Sequence, residues 1–139
     1  MKRPIFAIKA HVAVPGAKEY AFHDQKTMYG GKLIAEGDTI YVFASETHGG
    51  RGLLARGVVS SARATPRISG VERQTPRVSI AVNRRQLVKR PLEKDRIRRF
   101  VDWEDGRPET ELNFKFYRQS TSKIVGISAG LAEYLSRYF

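Results

Sequence analysis

The chain predicts a mixed α+β, mainly β fold: a compact barrel or strongly bent sheet of five or six mostly antiparallel strands, with short peripheral helices and a C-terminal helix. Three observations predict it. Short stretches alternate apolar and polar side chains with the period of two that a half-buried strand shows. Glycine, proline and polar turn residues interrupt those stretches at short intervals. Nowhere do strands alternate with long helices, as a doubly wound parallel sheet would require. At 139 residues, the chain is long enough for one sizeable core and short for two, so residues 1–139 are read as one domain.

Pro4–Val14 is read as the first strand, with Phe6, Ile8, Ala10 and Val12 on one side and Ile5, Ala7, Lys9 and His11 on the other. Its basic start and interrupted apolar run resemble a strand more than a signal peptide. Thr39–Ser45 is the clearest strand, with Ile40, Val42 and Ala44 facing one way and Tyr41 and Phe43 the other. The tight connection ETHGGRG leads into a third strand at Leu53–Ser61, which predicts an antiparallel pair. Pro66, Gly70 and Pro76 mark residues 63–77 as a surface loop, after which Arg77–Leu87 returns to strand character. A short helix is expected at Glu93–Val101, a turn at Glu104–Pro108, a strand at Glu111–Arg118 and a brief strand at Lys123–Ile127. Ile127, Leu131, Leu135 and Tyr138 then recur at helical spacing behind Ser128, a favoured N-cap.

The composition, 41% hydrophobic and 28% charged, is that of a folded globular chain. No apolar run reaches the roughly 20 residues of a membrane-spanning helix, so no membrane role is expected. The absence of cysteine removes disulfides and thiolate zinc sites and fits a cytoplasmic setting. The charge is more telling: 25 Lys and Arg against 14 Asp and Glu give a formal +11. That surplus favours a polyanion whose counterions are released on contact, with nucleic acid, DNA or RNA, as the leading partner.

Three catalytic patterns fail on missing parts. GISAG at 126–130 spells a nucleophile elbow, but no histidine follows Ser128 to serve as its base. Gly30, Gly31 and Lys32 imitate a phosphate loop, yet Lys26 stands at the required earlier glycine and Leu33 at the required Ser or Thr. His11, His23 and His48 show no ligand spacing, so neither a metal nor another cofactor is expected. His23 and Asp24 could orient an imidazole for a small hydrolase or nuclease. That remains the alternative to a binding module, together with a basic domain that meets an acidic protein.

Basic residues interleaved with aromatics suit unpaired or flipped-out bases, because each base offers a flat face and each nucleotide a phosphate. One such zone is bracketed by glycines and holds Tyr20, Phe22, His23, Tyr29, Tyr41 and Phe43. The other is NRRQLVKRPLEKDRIRRF, ending just before the only tryptophan, Trp103. Backbone contacts are expected from Arg51, Arg63, Arg84, Arg85, Lys89 and Arg90.

IFAIKAH, TMYGGK, GDTIYVFAS and GLLARGVVSSARA, in this order, resemble the EVE and YTH branches of the PUA-like superfamily over residues 4–64. The resemblance implies a PUA-like pseudo-barrel with a concave pocket for a modified base in DNA or RNA, and no catalytic residues. By position it implies Lys9 and His11 lining that pocket from the first strand, Tyr29 as the stacking aromatic, Ser45 closing it and His48 in the adjoining loop. His23 joins them from the glycine-bracketed zone.

Overall fold

The structure, a computed structural model, describes residues 3–119 and 121–139. Six strands, β1 (Ile5–Ala10), β2 (Glu19–Met28), β3 (Thr39–Ala44), β4 (Gly52–Ala64), β5 (Arg77–Leu87) and β6 (Lys123–Ile127), close into a barrel in the order β1-β3-β4-β5-β2-β6. Four neighbouring pairs are antiparallel, while β1 with β3 and β2 with β6 run parallel. Three short helices lie outside: α1 (Lys94–Ile97), α2 (Pro108–Leu112), which continues as a π-helical turn over Asn113–Tyr117, and α3 (Ala129–Ser136).

β1 is buried on both faces, which explains why IFAIKA is nearly continuous in apolar residues. Phe6, Ile8 and Ala10 point into the barrel with Ile40, Val42, Val82 and Ile124. Ala7 faces outward, where Tyr41, Phe43, Val125 and Leu53 form a second core with Ile97, Leu112, Phe116, Leu131 and Leu135 from the helices. The helices therefore cover one side of the barrel, over β1, β3 and β6. That layering creates the cleft described below.

The antiparallel pairing of the second and third expected strands is present as β3 and β4, and the strand expected at Lys123–Ile127 is β6. Ser128 caps α3, its Oγ accepting from the Leu131 amide at 3.0 Å. Two expectations are corrected, and one strand is found that the sequence did not predict. The first strand stops at Ala10: residues 11–14 make no ladder pairs, although Val12 still packs against the barrel core. Residues 19–28 form a full strand, although a bulge between Phe22 and Gln25 breaks its alternation. Residues 111–118 are helical instead of extended: Pro108 starts the turn, and Leu112 and Phe116 bury on one helical face. The alternation of Leu112, Phe114 and Phe116 mimics a strand.

Candidate nucleic-acid interface

A cavity of about 130 Å³ opens between the outer face of β1 and the helical layer, lined by Lys9, Glu46, Thr47, Lys94, Arg98 and Tyr117. Lys9 forms its floor. The register Lys9↔Phe43 and Lys9↔Lys123 fixes its side chain on the outward face, where the π-helical turn passes over it. Its Nζ donates to the Phe116 carbonyl at 2.6 Å and stands 4.8 Å from the centre of the Tyr117 ring. Burial lowers the Lys9 pKa; Glu46 works against that shift and Lys94 adds to it.

Glu46 and Thr47 belong to a one-turn 3₁₀ segment, Glu46–His48, at the end of β3. The segment is held from both sides: the Ser45 amide donates to the Ala10 carbonyl at 2.9 Å, and the Gly50 amide donates back to Ser45 at 2.9 Å. Gly52 closes the connection with φ 81°, and a Cβ there would lie 2.4 Å from the Leu92 carbonyl oxygen. This glycine-rich connection thus shapes the rim of the cavity. The Tyr117 hydroxyl donates to Glu46 Oε2 at 3.0 Å, and burial, then the Glu46 charge, push its pKa far up. Tyr117 therefore stays a neutral ring and donor.

Beside Lys9, Lys123 is 2% exposed. Its pKa falls to about 8, chiefly through burial and then through the charges of Lys9, Arg118 and Lys26. Arg118 joins this cationic interior to an aromatic ledge. Its guanidinium lies 3.9 Å from the Phe114 ring centre, and Phe114 packs 5.8 Å from Tyr29 and 5.6 Å from Trp103. Tyr29 and Trp103 are 37% and 42% exposed, unusually open for rings of that size. Tyr29 has φ 52°, a left-handed conformation uncommon outside glycine, and its carbonyl is fixed by the Gly126 amide at 3.1 Å.

The six residues assigned to one pocket from the sequence occupy different places. Lys9 lines the cavity. Ser45, buried, leads into the turn that carries Glu46 and Thr47. His11 and His48 are exposed and pack against each other, with ring centres 5.1 Å apart. Tyr29 stands on the ledge. His23 lies on the β2–β5 face in a hollow with Ser61, Arg63 and Ser79. Asp24 Oδ1 accepts from the Thr65 hydroxyl at 2.6 Å, and among the described residues no hydrogen bond joins its carboxylate to His23.

The arginines and lysines expected to meet phosphates also divide. Arg51, Lys89 and Arg90 line a groove of about 250 Å³ with Leu53, Leu54 and Val88. Arg51 pairs with Glu93 at 2.9 Å, and Glu93 immediately precedes α1, so the groove runs toward Lys94 and Arg98. Arg84 instead donates to the Ala17 carbonyl at 2.7 Å and holds the segment between β1 and β2. Arg85 is exposed near it, and Arg63 sits beside His23.

No family model matches the sequence, and no curated protein matches it. Solved structures do share its architecture. Human THYN1 protein in complex with DNA containing 5-methylcytosine superposes with TM-score 0.64 at 12% identity, over 98% of this chain and 98% of its own. The fold is PUA-like. The DUF55 domain of human thymocyte nuclear protein 1 shares this fold with TM-score 0.63 at 11% identity, over 96% of this chain and 98% of its own. A hypothetical protein from Leishmania major does so with TM-score 0.61 at 13% identity, over 98% and 94%. On this PUA-like barrel, Lys94 and Arg98 come to the cavity from α1, and Tyr117 and Arg118 from the π-helical turn and its end. Sequence reasoning put Lys94 and Arg98 in a basic run without placing them at a pocket, and it treated residues 111–118 as a strand. The lysine facing Lys9, Lys123, stands in the sequence only as the first residue of the brief strand Lys123–Ile127.

Proposed function

We propose that this protein is a non-catalytic nucleic-acid-binding module that holds a modified or flipped-out base in the cleft between the barrel and its helices. The observation that carries this reading is the cavity itself: buried Lys9 beside the Tyr117 ring, with Lys94 and Arg98 in its lining. Its volume, about 130 Å³, is below the roughly 300–1,000 Å³ of sites that engulf a drug-sized ligand, which suits one planar ring. Tyr117 provides a flat face, Lys9 and Thr47 provide hydrogen-bond donors, and Glu46 provides an acceptor for an exocyclic amino group. Tyr29, Phe114 and Trp103 offer a neighbouring base a second surface, with stacking of about 1–3 kcal/mol per base.

Affinity comes chiefly from phosphates on the track from Arg51, Lys89 and Arg90 toward Lys94 and Arg98. The DNA complex of the THYN1 protein makes 5-methylcytosine the first modification to test. The cysteine-free chain suits the reducing cytoplasm, where either nucleic acid is met.

The test is a binding screen at fixed salt against matched DNA and RNA oligonucleotides carrying 5-methylcytosine, N6-methyladenine or unmodified bases, with magnesium and manganese present in parallel. Preference for one modified base without cleavage is expected. Turnover of the oligonucleotide would favour the hydrolase reading, and equal competition by polyglutamate would favour an acidic protein partner.

A further inference from the structure

Three cations and one carboxylate line the cavity, Lys9, Lys94 and Arg98 against Glu46. Glu46 already accepts from Tyr117. Behind the cavity the imbalance grows. Lys123 is the antiparallel partner of Lys9, so their Cβ atoms are roughly 4.5–5.5 Å apart on one face of the sheet. Both are nearly fully buried. The charged groups bearing on Lys123 are Lys9 from β1, Lys26 from β2 and Arg118 from the end of the π-helical turn; those bearing on Lys9 are Glu46 and Lys94. Two ammonium groups out of water, side by side, work against folding unless an anion joins them. Strained charge arrangements of this kind persist where function uses them.

We propose that the Lys9–Lys123 pair, with Arg98 and Arg118, forms an anion site that takes one phosphate group, Lys9 and Arg98 touching it from the cavity and Lys123 strengthening the field behind Lys9. A tetrahedral oxyanion fits this donor set better than a planar one, because the fork of Arg98, the ammoniums of Lys9 and Lys94 and the hydroxyl of Thr47 approach from different elements. The inference rests on the nucleic-acid reading for one source of that phosphate, the linkage next to the captured base. A free phosphate or a mononucleotide offers the same chemistry.

Lys123→Met removes one buried charge while keeping a long apolar stem, and Arg98→Ala removes an exposed arm of the site. Inorganic phosphate, titrated at constant ionic strength and pH 7, is expected to raise the melting temperature of the wild-type protein. Lys123→Met should melt higher than wild type without phosphate and need severalfold more phosphate for the same rise, because the field behind Lys9 is weaker. Arg98→Ala should need at least roughly tenfold more phosphate, as removing one charge-assisted hydrogen bond implies, without the gain in intrinsic stability, and carries the same test should Lys123→Met fail to fold. Equal phosphate responses in wild type and variants would overturn the proposal.

The source is read separately, with oligonucleotides carrying one uncharged methylphosphonate linkage at successive positions around the modified base. One position that weakens wild-type binding about tenfold, yet adds much less in Arg98→Ala, identifies the phosphodiester as occupant. Protection by phosphate or a 5′-mononucleotide, with no oligonucleotide binding at all, supports the anion site and removes the nucleic-acid reading. Base preference that survives while phosphate and every methylphosphonate leave wild type and variants alike would remove the anion site and leave that reading standing.

Discussion

Lys123 shows how one residue can serve binding at the expense of folding. Its pKa of about 8 in the folded chain lies below the ordinary 10.5, so between those values the unfolded chain holds more protons. Stability therefore rises as pH increases from about 8 toward 10.5, and at pH 7 the full penalty of the buried charge is present. Lys123→Met should flatten that rise; chemical denaturation of both proteins at pH 7, 8.5 and 10 reads it directly. Tyr29 makes the complementary point. Its left-handed backbone and exposed ring bring nothing evident to the core. Tyr29→Ala should weaken oligonucleotide binding by about 1–3 kcal/mol and leave its salt dependence unchanged, because stacking releases no counterions. A loss of affinity accompanied by a flatter salt slope would contradict that role.

Among the elements, the connection from β3 to β4 positions Glu46 and Thr47. Gly52→Ala would set a Cβ 2.4 Å from the Leu92 carbonyl oxygen at φ 81°, costing roughly 1–3 kcal/mol of stability and shifting the rim of the cavity. Gly57→Ala is the matched control: its Cβ would lie 2.2 Å from the Asn83 carbonyl oxygen, within the β4–β5 pairing and away from the cavity lining. Both should melt lower, and only Gly52→Ala should lose oligonucleotide affinity measured well below its melting point. These elements also show what the sequence disclosed. β3 was legible because it is a short, continuous apolar run rich in β-branched and aromatic residues, and glycines follow it. β2 was hidden by its bulge at His23 and Asp24, which puts two polar residues in succession. The π-helical turn was misread because every second residue from Leu112 to Phe116 is apolar, and only the tertiary contact with the outer face of β1 decides between the two periods. Lys9 could be picked out as a charge in an apolar strand. Tyr117, Arg98 and Lys123 reach it from elements far apart in sequence, and tertiary packing alone brings them together.

For the molecule as a whole, the +11 charge matters by how it is distributed. Arg51, Lys89 and Arg90 line a groove that leads to α1, whereas Arg84 is engaged with backbone carbonyls. Replacing Arg51, Lys89 and Arg90 together by alanine should reduce the slope of log affinity against log salt by about 0.7–0.9 for each phosphate that is no longer neutralised. Arg84→Ala should instead lower stability by about 1 kcal/mol with little change in slope. The closed barrel supplies a rigid wall, and the helices packed against only one side of it leave the cleft between. The central claim is that nucleic acid enters this cleft. Amide chemical shifts recorded during titration with an oligonucleotide containing 5-methylcytosine test it most directly. The account predicts the largest changes at Lys9, Thr47, Arg98, Tyr117 and Lys123, with smaller ones at Tyr29 and Trp103. Changes confined to the β2–β5 face around His23 and Arg63 would contradict it.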